Sequence, residues 1–197
     1  PDKMMLVEDV LHTLQELALW HRMQLNIPIL AITGTNGKTT TKELVSTVLA
    51  STYKTIATVG NLNNHIGVPL TLLSIPPNTE IAVIEMGANH QLEIESYCRI
   101  ARPTHGIITN IGKAHLEGFG SEEGVRKGKG ELYDYLRAHD GTAFVMWDYP
   151  YLREMSRGIP HISTYGTSDA DIISDVIGSD QYLEVEFKKG FKGIVGT

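Results

Sequence analysis

The stretch that decides the fold is Ile29-Leu-Ala-Ile-Thr-Gly-Thr-Asn-Gly-Lys-Thr-Thr-Thr41. Its apolar start predicts a buried strand, and the leucines and valines that follow it at helical spacing predict a helix. A glycine-bearing turn separates the two. The backbone N–H groups of such a turn can close on phosphate oxygens, and the start of the helix adds positive potential. The order of strand, turn and helix therefore predicts a phosphate-binding loop.

Two side chains in this turn fit a nucleotide. Lys38 supplies a cation for phosphate, and Thr39 supplies a hydroxyl that can hold Mg²⁺. The spacing, Gly34-x-x-Gly37-Lys38-Thr39, is shorter than the common G-x-x-x-x-G-K pattern, which would need glycine in place of Ile32. A plain strand–turn–helix corner is the alternative interpretation. The presence of glycines, lysine and hydroxyl in the required order favours the phosphate site.

Composition limits the class of protein. With 197 residues and 42% hydrophobic content, the chain can form one substantial globular domain. A net charge of −6 argues against non-specific binding to nucleic acid, and no apolar run approaches the length of a membrane span. The one cysteine, Cys98, excludes an internal disulfide framework and suits a reducing cytosol. We therefore expect a cytoplasmic monomer that neither binds nucleic acid nor inserts into a membrane.

Predicted strands alternate with predicted helices along most of the chain. The strands are expected at 29–32, 54–58, 81–84, 105–109, 142–146 and 160–164, and helices at 6–25, 90–101, 122–138 and 150–157, besides the one after Lys38. Asn89 is the expected cap of the helix at 90–101. Beyond residue 167 the helical periodicity disappears, and segments 182–187 and 193–195 suggest a hairpin. The predicted fold class is α/β: a P-loop-type, mostly parallel sheet flanked by helices, with a small antiparallel addition near the C-terminus.

Polar residues follow the carboxyl ends of the predicted strands, where ligands bind in open α/β sheets. Besides Lys38 they are Glu85, His115 and Asp148. Glu85 ends an apolar strand, which is where P-loop proteins place an acid that organises Mg²⁺, although a solvent-facing strand end is the alternative. His115 lies in a glycine-rich loop, and that loop alone leaves a structural role equally open.

Lys129 stands out beyond the first loop. It shares one predicted helix face with Val125, Leu132 and Leu136. A lysine within that stripe would bury its charge at a cost of several kcal/mol unless it is paired. Burial would also lower its pKa and expose a neutral amine that can react. The alternative is that its side chain extends past Leu132 to water.

Several segments, taken together, resemble the ATP-dependent Mur ligases of bacterial cell-wall synthesis. Thr33-Gly-Thr-Asn-Gly-Lys-Thr-Thr40 is similar to their nucleotide loop, which folylpolyglutamate and cyanophycin synthetases share. The finer segments resemble the branch that adds D-alanyl-D-alanine to the UDP-N-acetylmuramoyl (UDP-MurNAc) tripeptide. They are Gly60-Asn-Leu-Asn-Asn-His-Ile-Gly-Val-Pro-Leu-Thr-Leu-Leu73, Glu85-Met-Gly-Ala-Asn-His90, Ala114-His-Leu-Glu-Gly-Phe-Gly-Ser121 and Lys129-Gly-Glu131.

The resemblance implies a domain organisation. Mur ligases have an N-terminal, a central ATPase and a C-terminal domain, and this chain resembles the central one. Residues 1–26 would be a linker helix from a missing N-terminal domain. Residues 27–197 would be the central ATP-binding domain, with 167–197 as its small antiparallel part, and the C-terminal domain would be absent. The isolated chain would then be unable to complete a ligation.

The resemblance also implies site residues and cofactors. ATP would lie on Gly34, Thr35, Asn36, Gly37, Lys38, Thr39 and Thr40, with Asp148 as a further nucleotide contact. One Mg²⁺ would use Thr39 and Glu85, and a second His115 and a carbamylated Lys129. The catalytic residues would be Lys38, His115 and Lys129. Asn63, Asn64 and Asn89 would bind substrate, although turn chemistry also explains the asparagines at 61, 63 and 64. Met146 stands where the family commonly has asparagine, which leaves the adenine contacts open.

The implied activity is an ADP-forming amide ligation through an acyl phosphate. Its substrates would be the UDP-MurNAc tripeptide and D-alanyl-D-alanine. Two alternatives remain at this point. One is another ligase of the superfamily, acting on folate or on an amino-acid polymer. The other is a nucleotide-binding module without catalysis, for which the combination of Glu85, His115 and Lys129 would be superfluous.

Overall fold

The structure, a computed structural model, describes residues 4–112, 116–176, 184–189 and 194–196. Within these ranges the helices are α1 (Val10–Gln24), α2 (Lys38–Ala50), α3 (Gly67–Leu73), α4 (Glu93–Ala101), α5 (Leu116–Phe119), α6 (Glu122–Ala138) and α7 (Pro150–Met155). The strands are β1 (Ile29–Thr33), β2 (Thr55–Ala57), β3 (Ile81–Glu85), β4 (His105–Ile108), β5 (Thr142–Met146), β6 (His161–Gly166), β7 (Ile172–Val176), β8 (Glu184–Lys189) and β9 (Ile194–Gly196).

All described strands belong to one sheet, ordered β2-β3-β1-β4-β5-β6-β7-β8-β9. Neighbours from β2 through β7 are parallel, and β8 and β9 are added antiparallel at the edge. This confirms the predicted fold class. Strand β1 lies between β3 and β4, so the chain crosses from one side of β1 to the other after β3. The loops after β1, β3 and β4 therefore meet at a topological switch point, where open α/β sheets bind ligands.

Alternate residues of the central strands face opposite sides of the sheet, and two apolar cores result. Ile29 and Ala31 face the larger core, which is packed beneath α1, α3, α4 and α6. Leu30 and Ile32 face the smaller core, which α2 covers with Val45 and Leu49. The strands are apolar on both faces because both faces are covered. Among the described residues, no helix is both long enough and apolar enough to cross a membrane.

Helix α1 is tied to the sheet layer by a buried arginine. The Arg22 guanidinium donates to the carbonyls of Ala101 (2.7 Å), Leu25 (2.7 Å), Arg102 (3.2 Å) and Ile27 (3.3 Å). It thereby satisfies carbonyls at the ends of both α1 and α4. Burial lowers the pKa of Arg22, and the neighbouring Arg102 lowers it further. The helix packs as part of this domain, and its role as a link from a further domain stays a prediction.

Two local predictions differ from the structure, and three short elements were not predicted. Helix α1 begins at Val10, where Asp9 caps it by accepting from the backbone N–H of His12, and not at residue 6. Helix α4 begins at Glu93 after Leu92, so the prediction that Asn89 caps it was wrong. Helices α3 and α5 and strand β7 were not predicted from the sequence. The predicted hairpin corresponds to β8 and β9, although residues 182–183 and 193 lie outside the described residues.

Candidate nucleotide and metal site

The phosphate loop joins β1 to α2 and is held by the loop after β4. Gly34 has φ 142°, and a Cβ built on it would lie 2.0 Å from Oγ1 of Thr109. The backbone N–H of Thr35 donates to the carbonyl of Asn110 (2.9 Å), and that of Asn36 donates to Oδ1 of Asn110 (3.1 Å). Glycine is needed at position 34 because any side chain would enter the neighbouring loop. Gly37, at φ 76°, is the N-cap residue of α2.

Lys38 is the first residue of α2 and lies over its own loop. Its Nζ donates to the carbonyls of Gly34 (3.0 Å) and Thr35 (3.2 Å). Burial lowers the pKa of Lys38, and the charge of Glu85 partly offsets that effect. The ammonium therefore lies within the turn, with carbonyl oxygens as partners. An incoming phosphate would offer it a stronger, charged partner.

Glu85, at the end of β3, is the centre of the site. It is 1% exposed, and its Oε1 accepts from Oγ1 of Thr39 (3.2 Å) and from Nδ2 of Asn63 (2.8 Å). Among the described residues no hydrogen-bond partner reaches its Oε2. A buried carboxylate oxygen without a partner is costly unless a ligand completes it. A hydroxyl beside a carboxylate is a donor set suited to Mg²⁺, so Thr39 and Glu85 fit the ion that the sequence predicts.

The backbone beneath Glu85 is fixed from two sides. The N–H of Glu85 donates to Oγ1 of Thr58 (2.9 Å), and the carbonyl of Thr58 accepts from Nζ of Lys42 (2.7 Å). Lys42 lies on α2, one turn after Lys38, and is buried. Helix α2 therefore contacts Glu85 directly through the Thr39 hydroxyl and indirectly through Lys42 and Thr58. The sequence analysis did not single out Lys42, although Lys42, Val45 and Leu49 stand at helical spacing, i, i+3 and i+7.

Lys129 is buried on α6, as its place in the apolar stripe predicts. It is 2% exposed, its Nζ donates to the carbonyl of Ala88 (2.8 Å) and lies 5.2 Å from the centre of the Phe119 ring. Burial lowers its pKa to about 8, and the charge of Lys38 adds to the effect while Glu93 and Glu131 oppose it. A pKa near 8 raises the neutral fraction at pH 7 by about 300-fold over an ordinary lysine. The amine is therefore available for chemistry that a solvated lysine would not perform.

A cavity of about 360 Å³ lies beside these groups. Lys38 contributes to its wall from α2, and Ala88, whose carbonyl Lys129 contacts, also lines it. The rest of the lining comes from the loops after β2 and β3 and from α4, and includes Asn63, Asn64, Asn89, His90, Glu93 and Tyr97. A second cavity, of about 540 Å³, lies between α2 and the opposite ends of the strands. Its lining is mostly apolar and includes none of the predicted site residues. The polar cavity is therefore the candidate site.

The predicted substrate asparagines divide into three cases. Asn63 reaches the carboxylate of Glu85, so it belongs to the site. Asn64 lines the cavity, but its Oδ1 accepts from the backbone N–H groups of Ile66 (3.1 Å) and Gly67 (2.8 Å) at the start of α3. That is the turn chemistry kept as an alternative. The backbone N–H of Asn89 donates to Glu93 (2.6 Å), and the residue lines the cavity.

Two other predicted residues do not enter this cluster. Both carboxylate oxygens of Asp148 accept from the backbone N–H of Thr167 at 3.0 Å, so the side chain closes the turn after β6. It stands at the end of β5, on the same edge of the sheet as the phosphate loop. His115 lies outside the described residues. In the part of the chain that is described, no group of three or more His, Cys, Asp or Glu side chains could hold a metal ion.

Two glutamates that the sequence analysis did not assign shape the cavity wall. Oε2 of Glu93 accepts from the backbone N–H groups of Asn89 and His90. Burial works against the charge of Glu93, but these N–H groups and the charges of His90 and Lys129 together hold its pKa below the usual value. Glu131 accepts from the backbone N–H groups of Leu92 and Glu95. Both roles depend on backbone N–H groups, and a pattern of side chains in the sequence does not predict such contacts.

Comparison with known proteins identifies relatives of this arrangement. The family described as the Mur ligase middle domain matches residues 32–192. The UDP-N-acetylmuramoyl-tripeptide–D-alanyl-D-alanine ligase of Bacillus subtilis is 43% identical over 162 residues, which are 82% of this chain and 35% of that protein. The chain therefore spans about a third of the length of this curated relative.

Solved structures give the same relationship. A crystal structure of MurF from Acinetobacter baumannii superposes with a TM-score of 0.87 at 32% identity, covering 98% of this chain and 43% of that one. MurF from Thermotoga maritima, solved in complex with ADP, gives a TM-score of 0.86 at 30% identity, with coverage of 96% and 44%. The backbone described here is thus similar to one that carries a nucleotide.

Proposed function

This chain belongs to the Mur ligase family, and we propose that within a full-length protein it is the ATP-binding middle domain of a UDP-MurNAc-tripeptide–D-alanyl-D-alanine ligase. One observation carries the proposal. The buried carboxylate of Glu85 joins the hydroxyl of the phosphate loop, at Thr39, to the loop after β2, at Asn63. A nucleotide site and a second polar site therefore share one wall, as a ligase requires.

The proposed reaction has two steps. A carboxylate oxygen of the tripeptide attacks the γ-phosphorus of ATP, the bond to the β–γ bridging oxygen breaks, and an acyl phosphate and ADP form. The amine of D-alanyl-D-alanine then attacks the acyl carbon, inorganic phosphate leaves, and the nitrogen loses a proton to give the amide. The protein's contribution is to position the reactants and to stabilise the charge that moves between them.

The phosphate loop would hold the nucleotide for the first step. The backbone N–H groups of residues 34–40 and the positive end of α2 surround the phosphates. Lys38 would turn from its carbonyl partners to the transferring phosphoryl group. Thr39 and Glu85 would hold Mg²⁺, which supplies charge neutralisation to the phosphate oxygens when bound. The open lone pairs of Glu85 Oε2 support this assignment.

Lys129 would act as a carbamate. The ammonium first loses one proton, and the neutral amine then adds to CO₂ and releases a second proton, so a buried cation becomes a buried anion with two oxygens. The low pKa of Lys129 and its burial beside Ala88 support this conversion. We propose that this carbamate and His115 serve a second Mg²⁺. The substrate side of the site would then be Asn63, Asn64 and Asn89 on the cavity wall, with Asp148 nearer the nucleotide base.

The setting of the reaction follows from the same chemistry. ATP and a single buried cysteine, Cys98, suit the reducing cytoplasm, where we place the protein. We propose that it acts as a monomer, because the domain contributes its own phosphate loop, acid and lysine to one cavity. Met146 replaces the asparagine expected after β5, so we assign no adenine contact to that position.

Nucleotide binding by this chain tests the first half of the proposal. Isothermal titration of ADP with Mg²⁺ should give saturable binding to the wild-type chain. Thr39→Val and Glu85→Gln should each remove the dependence on Mg²⁺ while the fold is retained. Lys127→Met, an exposed lysine on α6, is the control and should bind as the wild type does. Binding that is indifferent to Mg²⁺ in the wild type would contradict the metal assignment.

A further inference from the structure

Helix α6 contacts the wall of the cavity at two points. The wall segment is residues 86–92, which connect β3 to α4 and are called the wall loop here. Lys129 holds the middle of this loop through the carbonyl of Ala88, at 2.8 Å. Glu131, two residues further along α6, holds its end. Glu131 ends the Lys129-Gly-Glu131 segment, which resembles the Mur ligases, yet the proposed reaction gives Glu131 no role.

The contact made by Glu131 is a two-point one. Its Oε1 accepts from the N–H of Leu92 (2.6 Å), and its Oε2 accepts from the N–H of Glu95 (2.9 Å). The residue is 8% exposed, so these bonds are shielded from water. A carboxylate that accepts two backbone N–H groups at the positive end of a helix makes strong, charge-assisted bonds.

Helix α4 needs an external partner at this end. Its N-cap residue is Leu92, whose side chain carries no acceptor for the free N–H groups of the first turn. Leu92 also has φ 69°, a left-handed conformation that costs a non-glycine residue about 1 kcal/mol. Glu131 supplies the missing acceptors and holds Leu92 in that conformation. Glu93 completes the turn by accepting from Asn89 and His90.

The two anchors on α6 respond differently to carbamylation. An ammonium nitrogen carries three hydrogens and a positive charge, whereas a carbamate nitrogen carries one hydrogen next to an anion. The bond from Lys129 to the Ala88 carbonyl therefore weakens when the lysine is modified. The bonds from Glu131 involve other atoms of the loop and remain. The wall loop would keep its position with Lys129 either unmodified or carbamylated only because Glu131 also holds it.

We propose that Glu131 is a positioning residue that seats the start of α4 and thereby holds the wall loop, with Ala88, Asn89 and His90, in its substrate-facing shape whatever the chemical state of Lys129. The part that concerns carbamylation rests on the proposed function. The part that concerns the loop rests on the contacts alone. Loss of Glu131 should therefore disturb the substrate side of the cavity and leave the phosphate loop in place.

The test compares Glu131→Gln with Asp134→Asn in the chain as it stands. The amide keeps the size of Glu131 but removes its charge and turns a donor toward one of the two N–H groups. Asp134 lies one turn further along α6, is exposed and pairs with Arg137, so its variant is the matched control. Hydrogen exchange followed by mass spectrometry should show residues 86–95 exchanging about tenfold faster or more in Glu131→Gln. Exchange in β1 and α2 should be unchanged.

A second readout separates positioning from general stability. In the full-length protein, Glu131→Gln should raise KM for the peptide substrate about tenfold while KM for ATP stays within twofold. Glu131→Asp keeps the charge, so its KM for the peptide substrate should lie between those of the wild type and Glu131→Gln. Exchange in residues 86–95 equal to that of the wild type, or faster exchange spread over the whole sheet, would overturn the proposal. The exchange result needs no ligase activity, so it can stand or fail independently of the proposed function.

Discussion

At the residue scale, burial lowers the pKa of two lysines near one cavity, and their surroundings differ. Lys38 lies in the turn with carbonyl partners and the charge of Glu85 nearby, and it remains a cation that a phosphate can attract. Lys129 is enclosed by Phe119 and the backbone of Ala88, and its pKa falls to about 8. The first suits electrostatic stabilisation and the second suits covalent modification.

Replacement of Lys38 tests the electrostatic role. Lys38→Ala in the full-length protein should lower kcat/KM for ATP by at least about 100-fold, since one cation at the transferring phosphoryl group is lost. ADP release measured by a coupled assay gives the value. The control is Lys127→Ala, whose lysine is exposed and should leave the rate unchanged. Near-normal turnover in Lys38→Ala would contradict the assignment of this loop.

Replacement of Lys129 tests the carbamate. Lys129→Ala should lose most activity, and added formate or acetate should restore part of it by placing a free carboxylate in the space left by the side chain. The same acids should not restore Lys38→Ala. A rate that responds neither to the mutation nor to the acids would count against a carbamate at this position.

The pKa of Lys129 also predicts a dependence of stability on pH. The value is about 8 in the folded chain and near 10.5 when unfolded, so the unfolded chain binds more protons between those pH values. The free energy of unfolding should therefore increase as the pH is raised from about 8 to 10.5. Below pH 8 the full cost of the buried charge, roughly 3 kcal/mol, lowers the stability of the folded chain. Lys129→Met removes this titration. In CO₂-free buffer, urea unfolding should show the variant gaining relative to the wild type at about pH 7.5 and losing that gain near pH 10.5.

A stability difference between the wild type and Lys129→Met that stays constant across this pH range would show that Lys129 titrates normally.

The sequence predicts the buried lysine because the apolar stripe on α6 is regular. The sequence does not predict which hydrogen-bond partner each asparagine has. Asn63 donates to Glu85, whereas the adjacent Asn64 accepts from the backbone of the turn before α3. The distances from a short polar side chain to its alternative hydrogen-bond partners differ by fractions of an ångström. Which bond forms therefore depends on how the loops pack.

At the element scale, the phosphate loop is rigid because the loop after β4 supports it. Thr109 and Asn110 accept from or donate to the backbone of residues 35 and 36, so the turn is shaped before any nucleotide binds. Sequence reasoning assigned the turn to its own glycines and lysine. The contribution of Thr109 and Asn110 was missed, because it depends on β4 lying beside β1, a pairing that the sequence pattern does not specify.

Two glycine variants separate steric fit from backbone strain in this turn. Gly34→Ala should abolish Mg²⁺-ADP binding and destabilise the chain, because its Cβ would lie 2.0 Å from Oγ1 of Thr109. Gly37→Ala meets no atom within 4 Å and has φ 76°, so only the left-handed strain, about 1 kcal/mol, applies. Thermal unfolding and ADP titration should rank the variants in that order. Equal effects of the two would mean that Thr109 does not constrain the loop.

The long elements could be predicted and the short ones could not. The central strands and α6 have strong periodicity and their predicted bounds agree closely with the structure. Helices α3 and α5 have seven and four residues, too few for a periodic pattern to emerge. The predicted cap at Asn89 failed because Glu131, 36 or more positions further along the chain than its partners Glu95 and Leu92, caps α4 instead. A long-range cap overrides the local signal.

At the scale of the whole molecule, the parallel sheet brings distant segments to one edge. The segments that follow β1, β3 and β4 meet there: Thr39 bonds to Glu85 and Asn36 bonds to Asn110, while Lys129 on α6 bonds to Ala88. Helix α1 is fixed to this layer through Arg22. The order of strands explains why residues 46 or more positions apart in sequence share hydrogen bonds at the site. The chain matches the Mur ligase middle domain family, and about two thirds of the length of its Bacillus subtilis relative lies outside the matched part.

The central claim, that this domain serves an ATP-dependent joining of two peptides, is tested most directly by ADP release from the full-length protein. With UDP-MurNAc tripeptide and D-alanyl-D-alanine both present, ADP and phosphate should accumulate in equal amounts with the joined product. Omission of the dipeptide should stop sustained release, and folate or amino-acid polymer acceptors should not replace it. Sustained ADP release without the tripeptide, or product formed equally well with an unrelated acceptor, would contradict the account.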